Sequence, residues 1–230
     1  MIKEILKLGK IIAVSHSKGG VGKTSVARNL ALSQARDGQK ILALDCDPQK
    51  SLETFFADRA DRLDKQELVC MAKSYSKGLA REIKSLAEGF DLVVVDVGGS
   101  RDSDVMRQVL IACNAAIVPT RPGQEDLDSL DLFMQVVDEV RGVNEDLQVF
   151  IVINQAPVDT FDTVGRTAAE GLATKFAGDA IVCATYLKHR KSWLKSAFNA
   201  DAIWEVDGPN SKAANEFDAL LEEMKERGAI

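Results

Sequence analysis

Six short runs of almost unbroken apolar, mostly β-branched residues recur along the chain: KIIAVS (10–15), KILALD (40–45), DLVVVD (91–96), AAIVPT (115–120), QVFIVIN (148–154) and DAIVCATYL (179–187). A strand with one wet face alternates apolar and polar residues, and these do not. Such runs fit strands covered on both faces, as in a mostly parallel sheet held between two layers of helix. The intervening segments carry the complementary signal. TSVARNLALSQARDG sets Val26, Ala27, Leu30 and Ala31 on one helical face and stops at Gly38, a residue that accepts the left-handed conformation ending a helix. GQEDLDSLDLFMQVVDEVRG sets Leu127, Leu130, Phe133, Met134, Val137 and Val140 at helical spacing, with acids in the first turn where the helix dipole favours them. KAANEFDALLEEMKERG carries Phe217, Leu220, Leu221 and Met224 on one stripe. Strand and helix in alternation predict an α/β, doubly wound fold on a single, mostly parallel sheet, with ligands beyond the carboxyl ends of its strands. The 230 residues, 46% of them hydrophobic, suffice for one core, so one domain spanning 1–230 is expected. The stretch from Asp58 to Lys77 is charged and without period, and reads as short helices or surface loop.

Directly after the first run comes SHSKGGVGKTS (15–25). The usual phosphate loop reads G-x-x-x-x-G-K-[ST]; aligned on Gly22, Lys23 and Thr24, it puts Ser17 at the first glycine and adds a second lysine, Lys18. Between a buried strand and a helix, Gly19, Gly20, Val21 and Gly22 let backbone amides converge on phosphate oxygens. The helix start through Ser25 adds its partial positive charge. Lys23 then reaches the β and γ phosphates of ATP, and the Thr24 hydroxyl coordinates Mg²⁺. In LDCDPQ, Asp45 and Asp47 emerge together beside this loop, one carboxylate placed to hold a metal-bound water and the other to orient an attacking one. DLVVVDVGGS ends its strand in Asp96, positioned to bind Mg²⁺ through water, and Gly98 and Gly99 follow where the backbone can shift.

KGGVGKT resembles the deviant Walker A motif of the ParA/MinD family of ATPases, whose signature is the extra lysine. The resemblance implies a P-loop ATPase in which Lys18 reaches across an ATP-dependent homodimer interface to the partner's phosphates. One more cation beside the nucleotide's charges is attractive only when nucleotide is present, which couples pairing to occupancy. By position Asp47 matches the family's hydrolytic aspartate, and Asn154, in VFIVINQAP, the asparagine that contacts adenine. AIVPTRPGQEDLDSL is similar as well, and the likeness runs from about Ile11 to the last helix. Gly98-Gly99 departs from a stretch where many members carry proline.

Members of the family share this switch and differ in cargo, so the branch must be read from outside the loop. The net charge of −6 confines any nucleic-acid contact to a local patch. Four scattered cysteines, Cys46, Cys70, Cys113 and Cys183, lack metal-ligand spacing and read as reduced, buried thiols; Cys113 stands too far beyond Asp96 for the shared iron–sulfur cluster of nitrogenase-iron-protein relatives. MIKEILKLGK lacks a signal-peptide core, no run approaches the ~18 or more apolar residues of a membrane span, and FDALLEEMKERGAI mixes acids into its polar face, against a membrane-binding helix. These features lead to the expectation of a soluble, cytoplasmic, nucleoid-associated protein. TYLKHRKSWLKS (185–196) offers Lys188, Arg190, Lys191 and Lys195 with no acid, where ParA-type partition proteins resembling this chain bind DNA without sequence preference. With no helix-turn-helix domain before Ile11, the chain resembles the short partition ATPases. The resemblance implies slow ATP hydrolysis, stimulated by a ParB-like centromere-binding or cargo adaptor protein, that positions plasmid or chromosomal DNA. The alternatives are the same switch moving a protein cargo (chemosensory array or microcompartment) and a non-catalytic nucleotide-gated adaptor.

Overall fold

A computed structural model of the chain describes residues 8–62, 64–65, 68–99, 104–159 and 163–230. Most of MIKEILKLGK thus lies outside the described residues. Strands and helices alternate as β1 (Lys10–Val14), α1 (Lys23–Arg36), β2 (Ile41–Asp45), α2 (Ser51–Ala60), β3 (Val69–Ala72), α3 (Leu79–Ala87), β4 (Leu92–Asp96), α4 (Asp104–Ala112), β5 (Ala115–Thr120) and α5 (Gln124–Arg141). They continue as β6 (Gln148–Ile153), α6 (Val164–Lys175), β7 (Ile181–Val182), α7 (Lys191–Phe198), α8 (Ile203–Val206) and α9 (Lys212–Glu226). The strands form one sheet in the order β3-β2-β4-β1-β5-β6-β7, every neighbouring pair parallel.

The unbroken apolar runs are explained by what lies on each face. Along β1, Ile11 and Ala13 enter the cluster packed by α3 to α6, while Ile12 and Val14 enter the cluster packed by α1, α2 and α7 to α9. β4 and β6 divide in the same way, Val93, Val95, Val149 and Ile151 to one side and Leu92, Val94, Phe150 and Val152 to the other. These three strands therefore have no polar face to display. Helix stripes follow suit: Val26, Ala27, Leu30 and Ala31 of α1 are buried, as are Phe217, Leu220, Leu221 and Met224 of α9.

Two segments depart from the sequence reading. Within Asp58–Lys77 lies an edge strand, β3, whose residues alternate between exposed and half-buried instead of forming an apolar run. DAIVCATYL, expected as a full strand, contributes only Ile181 and Val182 to the sheet; an isolated bridge to Ala156 follows just beyond it, at Lys188. β7 sits at the opposite edge of the sheet, paired with β6 alone and half-buried.

The sheet fixes the site. Val14 of β1 stands in register with Asp96 of β4, and Asp96 with Asp45 of β2. The connections leaving β1 and β4 pass to opposite faces of the sheet, through α1 and α4, and this opens a crevice above their carboxyl ends.

Candidate nucleotide site

The β1–α1 loop is shaped by its glycines. Gly20 and Gly22 take positive φ (75° and 94°), and a Cβ on Gly22 would fall on the Asn154 amide. Ser17 is not among the positive-φ residues; its buried hydroxyl donates to Ser129 O of α5 at 3.4 Å. The missing first glycine is thus replaced by a tie from loop to helix, at a position that needs no left-handed backbone.

Lys23 Nζ donates to Lys18 O at 2.9 Å, and burial holds the ammonium below its ordinary pKa. Thr24 Oγ1 donates to Asp96 Oδ2 at 2.6 Å, while the buried Asp96 Oδ1 has no partner among the described residues. Burial pushes the Asp96 carboxyl up to about 7, Asp45 and Asp47 adding to the rise and the Thr24 hydrogen bond opposing it. A buried carboxylate oxygen left bare beside a hydroxyl fits a hydrated Mg²⁺. No group of three His, Cys, Asp or Glu among the described residues could hold a metal alone, so most ligands would be phosphate and water, as Mg²⁺ prefers. Above these groups opens a cleft of about 650 Å³, lined in part by Gly19, Gly20, Thr24, Ser25, Asp47 and Gly99.

The two aspartates after β2 do different things. Asp47 lines the cleft, its Oδ1 fixed by the Gln49 N–H at 2.9 Å. Asp45, expected as a metal-site carboxylate, instead accepts three backbone N–H groups: Asp47 on Oδ1 (2.9 Å), Leu52 and Glu53 on Oδ2 (2.8 and 2.9 Å). It caps the start of α2 from a distance, where the helix dipole favours its charge, and both oxygens are taken. Asn154 likewise turns to the loop: Nδ2 donates to Val21 O at 2.8 Å and Oδ1 accepts the Gln155 N–H, so the residue braces the loop. Gln155, at φ 56°, adds a donor to Gly20 O at 3.1 Å.

The glycine pair after Asp96 is a close-approach device. A Cβ on Gly98 would lie 3.1 Å from the Asp47 carboxyl carbon, and one on Gly99 3.0 Å from Gly19 N and from Lys18 C and O. The β4 loop therefore touches the Lys18–Gly19 peptide and Asp47 at once. Lys18 extends its ammonium to Asp126 Oδ1 at 3.0 Å and, more loosely, to the exposed Glu125 at 3.8 Å, both on α5.

The basic segment lies beside this site. Leu187, His189, Arg190, Trp193, Leu194 and Ala197 line a smaller pocket of about 130 Å³, which shares Gly22, Ser25 and Gln155 with the cleft and has Asn154 on its wall. Arg190 is committed elsewhere, to Glu216 at 2.5 Å, and this bond raises its pKa. Lys195 meets Asp207 at 3.4 Å, Lys188 rests near the Tyr186 ring, and the exposed Lys191 has no acid within salt-bridge distance among the described residues. Sequence reasoning singled out none of Glu216, Asp207, Asp126, Arg121 or Gln155. Asp126 alone had a signal, an acid in the first turn of α5.

The chain is similar in sequence and fold to several known proteins. A family model described as AAA domain matches residues 9–66. The carboxysome distribution protein A of Halothiobacillus neapolitanus is 24% identical over 214 residues, covering 93% of this chain and 95% of that protein. The chromosome-partitioning ATPase Soj of Thermus thermophilus is 29% identical over 168 residues, covering 62% and 67%. Among solved structures, an ATP complex of a Cyanothece McdA variant superposes with a TM-score of 0.75 at 13% identity, covering 95% of this chain and 97% of that one.

Proposed function

We propose that this chain, which belongs to the ParA/MinD family of P-loop ATPases, is a positioning ATPase that pairs on ATP, binds DNA without sequence preference and lets go on hydrolysis. The observation that carries the reading is the Thr24–Asp96 hydrogen bond under the Lys23 ammonium, with a bare buried oxygen on Asp96. Bound together, Mg²⁺ and ATP supply the phosphoanhydride bond that water cleaves and the cation that draws charge from its phosphates. Lys23 exchanges the Lys18 carbonyl for phosphate oxygens. Thr24 and Asp96 hold the metal's hydration shell, and Asp47, fixed at the cleft wall, orients the attacking water. Lys18 serves the partner copy's phosphates.

The smaller pocket, with Trp193 and Asn154 on its wall, suits the base. Lys188, Lys191 and Lys195 supply the cations for DNA, and pairing doubles their number. The length of the carboxysome relative covered supports a protein assembly as cargo, and the likeness to Soj supports DNA; in either case a cargo-bound partner stimulates turnover. Binding to a random-sequence duplex with ATP, with ADP and without nucleotide, at two salt concentrations, tests the reading. Binding that needs ATP and fades with salt is the expected result. A chain that hydrolyses ATP rapidly alone, or binds duplex equally under all three conditions, overturns it.

No helix among the described residues is long and apolar enough to cross a membrane.

A further inference from the structure

The Lys18 side chain is held by an acid from a distant element, and how that acid is shared matters. Asp126 occupies the first turn of α5, where its side chain is 9% exposed. Its Oδ1 alone receives Lys18 Nζ at 3.0 Å and Arg121 through Nε at 3.1 Å and Nη2 at 3.0 Å. Burial works to raise the carboxyl's pKa, and the Lys18 and Arg121 hydrogen bonds outweigh it, leaving the group below its ordinary value. The Asp126 backbone is also pinned, its carbonyl accepting from the Ser129 hydroxyl at 2.6 Å.

Breaking a buried ion pair is costly chiefly because it strands a charge. Here it does not. Arg121 addresses the same oxygen through two N–H groups, so Lys18 can depart while Asp126 keeps a counter-ion. The rest of residue 18 is held independently: its N–H donates to His16 Nδ1 at 2.9 Å, its carbonyl accepts from Lys23 at 2.9 Å, and Gly99 packs on its peptide. Phosphate oxygens that draw Lys23 away remove one of these ties. The side chain's own close tie is to Asp126, the exposed Glu125 lying farther off at 3.8 Å.

We infer that Asp126 is a positioning residue for Lys18: it stores the ammonium against α5, Arg121 lets it be released, and the balance sets the ATP concentration at which two copies pair. The inference rests on the pairing role proposed for Lys18.

Its test uses the full chain and two readouts: the acetylation rate of Lys18 under limiting acetic anhydride, followed by mass spectrometry, and the ATP midpoint for dimerisation, by sedimentation. With Asp126→Asn, Lys18 should acetylate several-fold faster and the midpoint should fall about fivefold, the scale of one partly exposed ion pair. Asp126→Glu should restore values near those of the unmodified protein. Arg121→Gln, a change at a half-exposed side chain, should shift the midpoint the other way, because the carboxylate then has lost its arginine and is held by Lys18. In Lys18→Met, the further change Asp126→Asn should leave the midpoint unmoved. Unaltered Lys18 acetylation in Asp126→Asn, or an unmoved midpoint in a chain that does pair with ATP, overturns the inference alone. A chain that never pairs with ATP, or pairs equally well as Lys18→Met, overturns the pairing role itself, and the inference falls with it.

Discussion

The β1–α1 loop and the segment that opens α7 both carry lysines, yet they use them differently. In the loop, Lys23 is buried on the Lys18 carbonyl, next in sequence to the Thr24 that bonds Asp96, a strand-end residue placed by the register of β1 and β4. On α7, Lys191 and Lys195 stand in water, and so do Leu194 and Phe198, which are 68% and 92% exposed. Trp193 packs inward, edge-on to Phe217 at 5.9 Å, and Ser196 is buried beside Arg28. A buried cation has one geometry and one kind of ligand. An exposed one has many, and acts through its summed charge.

The largest effect therefore belongs to the loop. Lys23→Ala should lower ATP affinity by about a hundredfold or more, read by titration with a fluorescent nucleotide, since it removes a charge-assisted contact from a desolvated site. Lys191→Ala should leave that affinity unchanged. Equal losses from both would abolish the contrast between the two regions.

Next come the two aspartates that follow β2. Asp45→Ala strips three backbone N–H groups of their acceptor and should destabilise the chain by about 3 kcal/mol in denaturant unfolding. Asp47→Ala should leave stability nearly unchanged while slowing hydrolysis about a hundredfold, within the range for a positioned base or water-orienting group. A reversed pattern, with Asp45→Ala stable but inactive, would return Asp45 to the metal.

His16 sharpens the buried side of the contrast. Burial and the nearby Lys23 push its pKa down to about 4 from 6.5, Asp126 only partly opposing them. Between those values the unfolded chain binds a proton that the folded chain refuses, so this group's stability is complete above about 6.5 and is lost as pH falls toward 4. The loss should be about 2 kcal/mol by pH 5. His16→Asn, which can still accept the Lys18 N–H, should flatten the acid side of the stability–pH curve by that amount, measured by urea unfolding at several pH values. Parallel curves for the two chains would mean that His16 takes up its proton in the folded protein as readily as in the unfolded one.

What was legible in the sequence is what neighbours along the chain determine. The apolar runs give buried strands; Asp96 ends β4 and Thr24 lies in the first turn of the helix that follows the loop from β1, so their meeting follows from the parallel pairing of β1 with β4. β3 escaped because an edge strand needs no apolar run, and nothing in the apolar run at 179–187 marks the end of β7 at Val182. Asp45 misled because a carboxylate at the mouth of a site has the same sequence signature whether it faces metal or caps a helix. The acids that engage Lys195 and Arg190 were illegible for a different reason: Glu216 is 26 residues from Arg190, and nothing local in either segment announces the other.

The smallest expected effect lies in that last pair. Arg190 and Lys191 are adjacent in sequence and read as equals, but Arg190 is half-buried against Glu216, which also accepts the Lys188 N–H at 3.3 Å. Arg190→Gln should therefore act mainly on folding, by about 1 to 2 kcal/mol, because it leaves Glu216 with only part of its partners. Lys191→Gln should leave stability within about 0.5 kcal/mol, weaken ATP-dependent binding to a random duplex about threefold, and reduce the salt slope by about one. If Arg190→Gln weakened DNA binding more than Lys191→Gln at equal folded fraction, the Glu216 pair would have to open on DNA. The arginine would then belong with the exposed cations of α7, and the division between committed and uncommitted charge would fall one residue earlier.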